Sequence, residues 1–140
     1  MARTRGRTQA APAQRLILDS GAVIAVSRHD VRGRAALAAA HEAGAEVSIP
    51  SVVVAETVRG TATDAPVNRI IKAVGEVSWA DESIGRLAGA LLGAGRSNAT
   101  VDAVVVASAI GAGGGVILTG DPGDLEALAV DHPDVVIRSL

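Results

Sequence analysis

The chain has 140 residues, a formal net charge of -2 and 49% hydrophobic residues, which fits one folded domain and excludes an intrinsically disordered chain. Ala, Val and Gly supply 63 of the 140 residues and Trp79 is the only aromatic, which excludes base stacking on an aromatic platform. With no cysteine there is no disulfide framework, thiolate metal site or cysteine nucleophile, the pattern expected of a cytoplasmic protein.

Charge is unevenly placed. The first fifteen residues carry Arg3, Arg5, Arg7 and Arg15 and no acid, whereas the rest hold nine basic and fifteen acidic side chains, a balance of -6. Residues 1–14 show no apolar period and are expected to form a flexible basic tail ahead of a domain spanning 15–140. They lack the apolar stretch of a secretory signal, and no later run is long enough to cross a membrane.

Leu16-Ile17-Leu18 reads as a buried strand ended by the turn Asp19-Ser20-Gly21. Ala22–Val26 begins a short helix, and Val31–Ala43 is a second one closed by Gly44. Glu46–Ile49 is a strand, after which Pro50 suits the first turn of a helix running through Glu56 to Gly60. A polar stretch, Gly60–Pro66, leads to a helix at Val67–Val74, then a strand at Gly75–Trp79 and a helix at Asp81–Ala94. Val101–Ile110 is read as a helix with Thr100 as its cap, although Val52–Val54 and Val104–Val106 favour strand by propensity alone. A glycine run precedes the strand Val116–Leu118, and the turn Thr119-Gly120-Asp121, a short helix Leu125–Val130 and a strand Val135–Ile137 complete the chain. The alternation predicts an α/β domain with a mainly parallel sheet. The Ala- and Val-rich faces of Ala22–Val26 and Ala35–Ala40 suit either core packing or a partner groove.

Four acids stand out against this apolar background. Asp19 and Asp121 each follow a run of three branched aliphatics, at the carboxyl end of a strand where open parallel sheets bind ligands. Glu56 and Asp102 interrupt apolar helices. Each acid has an ordinary reading too: Asp19 as a helix cap, Glu56 as a solvated partner of Arg59, Asp102 as a first-turn carboxylate beside the helix dipole. Gathered in one crevice they would repel by about 4 kcal/mol per pair at 4 Å and an effective dielectric of 20. A cation among them relieves that repulsion, and an all-oxygen donor set selects Mg²⁺ or Mn²⁺. The reaction class that follows is metal-assisted phosphodiester hydrolysis.

At this point the chain resembles a PIN-domain ribonuclease of the VapC toxin type. The matching segments are Leu16–Ala22, Ile49–Glu56, Thr100–Ala103 and Ile117–Asp121. The resemblance implies a three-layer α/β/α domain with a five-stranded parallel sheet, endoribonuclease activity, a cognate antitoxin and a homodimer. It assigns Asp19, Asp102 and Asp121 to the metal and Glu56 to a water-mediated or water-orienting role. Ser20 and Thr119 match supporting hydroxyl positions, and Asp124 is either a fifth, outer acid or a helix cap. Gly21 departs from the pattern, standing where a small hydroxyl residue is frequent.

No side-chain nucleophile is required, and His29, His41 and His132 show no ligand spacing. The glycine run precedes a strand instead of following one, so it is not a dinucleotide loop. RNA would be held by scattered arginines, with Arg28, Arg32, Arg34, Arg59, Arg86 and Arg96 as candidates. Two other readings compete: a receiver-like phosphoacceptor domain, and a PIN fold without catalysis that acts through protein contacts.

Overall fold

The computed structural model describes residues 14–140, so the expected basic tail, residues 1–14, lies outside the described residues except for Gln14. Leu16, Ile17 and Leu18 are all buried and form β1 (Arg15–Leu18), the middle strand of a five-stranded sheet. The chain continues through α1 (Ser20–Ser27), α2 (Val31–Glu42), β2 (Glu46–Pro50), α3 (Ser51–Thr57), a 3-10 turn at Ala62–Asp64, α4 (Ala65–Val74) and β3 (Val77–Ser78). It closes with α5 (Glu82–Gly95), α6 (Thr100–Gly111), β4 (Gly115–Thr119), α7 (Gly123–Leu128) and β5 (Val135–Ser139).

The sheet order is β3-β2-β1-β4-β5 and every pairing is parallel. Helices cover both faces in a three-layer α/β/α arrangement, with α1 packed on α2, α3 and α4 and with α6 packed on α5 and α7. From β1 the chain builds outward through β2 and β3, then returns to the other side of β1 for β4 and β5. The gap between the β1 and β4 ends is therefore the switch point of the sheet. Register brings the two ends level, pairing Leu18 with Leu118, and the Asp19 N–H donates to the Leu118 carbonyl at 3.2 Å. This order also differs from the 2-1-3-4-5 sheet of receiver-like domains.

Both valine runs are helical. Val53 of α3 is fully buried, and α6 buries Ala103, Val105, Val106, Ala107 and Ala109. Burial against the sheet outweighs β-branched propensity, which spans only a few tenths of a kcal/mol per residue. The core is aliphatic, with Leu18, Val23, Val26, Ile49, Ile117 and Leu125 essentially inaccessible. Ala22, Val23 and Val26 of α1 thus belong to the core and not to a partner groove, whereas Ala35, Ala38 and Ala39 of α2 are exposed.

Several local expectations need correction. Pro50 is not inside the first turn of α3; it ends β2 in extended geometry and occupies the cap position. The third strand shrinks from Gly75–Trp79 to Val77–Ser78 because Gly75, at φ +80°, closes α4 in the left-handed region. Thr100 is the first residue of α6 instead of its cap; Ala99 holds that place, with its N–H donated to the Ser97 hydroxyl at 3.1 Å. The polar stretch is structured as well. Asp64 is buried in it and accepts N–H groups from Arg59, Gly60 and Thr61 at 2.7–3.1 Å.

Candidate functional site

Asp19 caps α1, its carboxylate accepting the Ala22 N–H at 2.9 Å, and it is 8% exposed. Capping and membership of an acid group therefore coexist in one side chain. Burial pushes its carboxyl above the usual range, and the charges of Glu56 and Asp121 push the same way. The Thr119 hydroxyl beside it and the Ala22 N–H counteract part of that rise.

Thr119, fully buried at the end of β4, ties the two strand ends together. Its oxygen accepts the Asp121 N–H at 2.9 Å while its hydroxyl faces Asp19. Gly21 explains why these turns approach so closely. A Cβ there would sit 3.1 Å from the backbone nitrogen of Gly120, tighter than ordinary packing. The glycine where a hydroxyl residue was expected is thus matched to a narrow contact between the turns bearing Asp19 and Asp121.

Glu56 is exposed on α3 and is not paired with Arg59. It accepts the Ser20 hydroxyl at 2.7 Å, while the Arg59 guanidinium donates to the Ala55 and Val58 carbonyls. Asp102 lies in the first turn of α6, part-buried, with its carboxyl pushed up to about 6. Burial is the largest cause; the charges of Asp124, Asp19, Glu56 and Asp121 follow. Asp124 is not a cap: Pro122 holds that place in α7, and Asp124 lies in the first turn with its charge facing Asp102.

The charges of Glu56 and Asp121 thus reach Asp19, and those of Asp124, Asp19, Glu56 and Asp121 reach Asp102, so the five acids gather loosely around the switch point. Among the described residues no three acidic or histidine side chains are close enough to form a ready cage for a metal ion. The donor set nevertheless fits a hard cation by its chemistry: it is all oxygen, and its charges raise one another's proton affinity. Mg²⁺ keeps most of its waters and needs only one or two carboxylates, so an open group of acids suffices. Lys72, the only lysine, is exposed on α4 and offers no late-chain partner for a phosphoacceptor site.

The PIN domain family matches residues 16–130. The chain belongs to the PIN domain family. Among solved structures, VapBC2 from Rickettsia felis bound to a promoter DNA fragment superposes with a TM-score of 0.72 at 13% identity, covering 91% of this chain and 99% of that one. A toxin–antitoxin complex from Klebsiella pneumoniae gives 0.66 at 18%, covering 86% and 95%. FitAcB from Neisseria gonorrhoeae gives 0.61 at 19%, covering 87% and 95%. At these identities the likeness is one of fold. No curated protein matches the sequence.

Sequence reasoning left two features of this PIN domain unread. The Ser20–Glu56 bond joins positions 36 residues apart, and only the β1–α1–α3 packing brings them together. Asp64 carried one local signal, three backbone donors in the turn just before it, which a carboxylate at a turn collects.

Proposed function

We propose that this PIN domain is a VapC-type endoribonuclease that hydrolyses RNA phosphodiester bonds with Mg²⁺ or Mn²⁺. The observation that carries the reading is the group of mutually repelling carboxylates at the switch point, on a chain of a family whose solved neighbours include toxin–antitoxin complexes. Asp19, Asp102 and Asp121 would hold the cation, with Asp124 as an outer acid. When bound, the cation supplies charge neutralisation at phosphorus and a more acidic water. Glu56, fixed by the Ser20 hydroxyl, orients the attacking water and takes up its proton. Thr119 holds Asp19 and Asp121 in register by bonding on both sides.

As the toxin of a type II pair, the protein would work in the cytoplasm as a homodimer held in check by a cognate antitoxin. Two features are compatible with that setting. No helix among the described residues is long and apolar enough to cross a membrane. Leu37, Val47, Ile70 and Val74 line an apolar recess of about 550 Å³ between α2 and α4, a surface suited to a partner segment.

The test is cleavage of structured RNA by the purified full chain in Mg²⁺ and in Mn²⁺, with and without chelator, beside Asp19→Asn. Cleavage that needs the metal and fails in the variant is expected. Equal cleavage in all samples removes the carboxylate mechanism.

A further inference from the structure

Resting on the nuclease reading, we infer that the recess between the α5–α6 loop and α7 is a single-stranded RNA subsite in which Arg96 holds a backbone phosphate next to the scissile one. The recess has a volume of about 470 Å³ and is walled by Arg96, Ser97, Asn98, Asp124 and Leu128. That is ample for one nucleotide, small-molecule sites starting near roughly 300 Å³. Asp124 belongs to both places: it walls the recess and is the acid whose charge acts most on Asp102. The recess and the acid group therefore share Asp124. In the proposed arrangement one phosphate of the strand lies at the acids and the adjacent one at Arg96.

The loop is built in advance. The Ser97 N–H donates to the Leu92 carbonyl at 2.9 Å, the Ser97 hydroxyl accepts the Ala99 N–H, and the Thr100 N–H donates to the Asn98 carbonyl at 2.9 Å. Arg96 itself ends α5 at φ +50°, in the left-handed region where glycine is the favoured residue. An arginine held there is a bulky cation fixed at a point where backbone preference alone would place none. A guanidinium matches phosphate geometry through paired N–H donors.

Elimination among the arginines points the same way. Arg15 is paired with Glu46 at 3.4 Å, and Arg69 of α4 and Arg138 of β5 lie on elements that carry none of the five acids. Arg86 is paired with Glu82 at 2.7 Å, Arg59 donates to backbone carbonyls, and Arg32 donates to the Leu140 carbonyl at 3.4 Å. Arg28 caps the far end of α1 from Asp19, and Arg34 walls the apolar recess between α2 and α4. Arg96 forms no ion pair among the described residues and shares a cavity with an acid of the crevice.

The test is steady-state cleavage of a short single-stranded RNA in Mg²⁺ by the full chain, measured over a range of salt. Arg96→Gln is expected to raise KM about tenfold with kcat little changed. The slope of log kcat/KM against log salt should flatten by about 0.7, the value for one lost phosphate contact on a single strand. Arg96→Lys should restore most of both, and Arg86→Gln, on the same helix, should change neither. If Arg96→Gln unfolds, Arg96→Gly accepts the left-handed backbone and carries the same KM test. Wild-type cleavage with unchanged KM and salt slope in these variants overturns the subsite alone. No cleavage by the wild type in Mg²⁺ or Mn²⁺ overturns the nuclease reading and the subsite with it.

Discussion

Asp102→Asn should make the metal-free protein more stable while abolishing its response to divalent cations. The rise of the Asp102 carboxyl from 3.8 to about 6 corresponds to about 3 kcal/mol against the charged form, at 1.36 kcal/mol per pK unit. Asp102 is part-buried, and solvent screening reduces that to roughly 1–2 kcal/mol. The sign follows from linkage. The folded state binds the proton more tightly than the unfolded chain, so stability is gained as pH falls from above 6 toward 3.8. Above that window the folded wild type carries the full penalty, which the neutral amide removes. Thermal unfolding at pH 7.5 without metal should show Tm raised by about 3–7 °C in the variant. At pH 4 the difference should largely vanish. Adding Mg²⁺ or Mn²⁺ at pH 7.5 should raise Tm of the wild type and not of Asp102→Asn. Equal destabilisation of the variant at both pH values would refute the repulsion argument, because it would show the carboxylate to be structural and not electrostatically frustrated.

Thr119→Val removes the part-buried bond to the Asp121 N–H and should cost about 1 kcal/mol in urea unfolding, together with a loss of cleavage. Ser20→Ala frees Glu56, so kcat should fall about tenfold while stability moves by less than about 0.5 kcal/mol. Asp19→Ala loses both an acid and a cap, whereas Asp19→Asn keeps a good cap for the Ala22 N–H; both should be inactive, with Tm lowered clearly only in the alanine variant. The backbone N–H groups of Arg59, Gly60 and Thr61 hold the Asp64 carboxyl below its usual range, so its contribution is present above about pH 4 and is lost as pH falls through its lowered value. Asp64→Ala should therefore lower Tm at neutral pH, and the gap to wild type should close in strong acid.

What the sequence displayed was set by short-range physics. A run such as Ile117-Leu118-Thr119 ends a strand wherever it falls, and an acid directly after it stands at the carboxyl end whatever the sheet order. The valine runs were legible as helices because Pro50 and Thr100 gave start signals and the apolar stretch outlasted a strand. The strand order was not legible, since β1 pairs with β4 about a hundred residues away through register and not through any local pattern. The same limit left Arg96 undistinguished among six candidate arginines, since only packing decides which of them walls a cavity. Asp64 was missed for a different reason: its three amide donors lie within five residues, a local turn signal that went unread.

The composition bears on the crevice more directly than the net charge does. Two strand ends carrying acids repel, and the turns after β1 and β4 approach closely where Gly21 puts no side chain against the Gly120 backbone. The aliphatic core beneath supplies the burial that raises Asp19 and Asp102, and Thr119 bonds across the seam between Asp19 and the Asp121 turn. An aromatic-free sheet rich in Val, Ile and Leu thus carries the acids at its strand ends without any cysteine or histidine ligand. The balance of -6 over residues 16–140 is therefore a poor guide to the partner. Much of it is concentrated where a cation would neutralise it, and Arg96 stands beside that point with its own charge uncommitted.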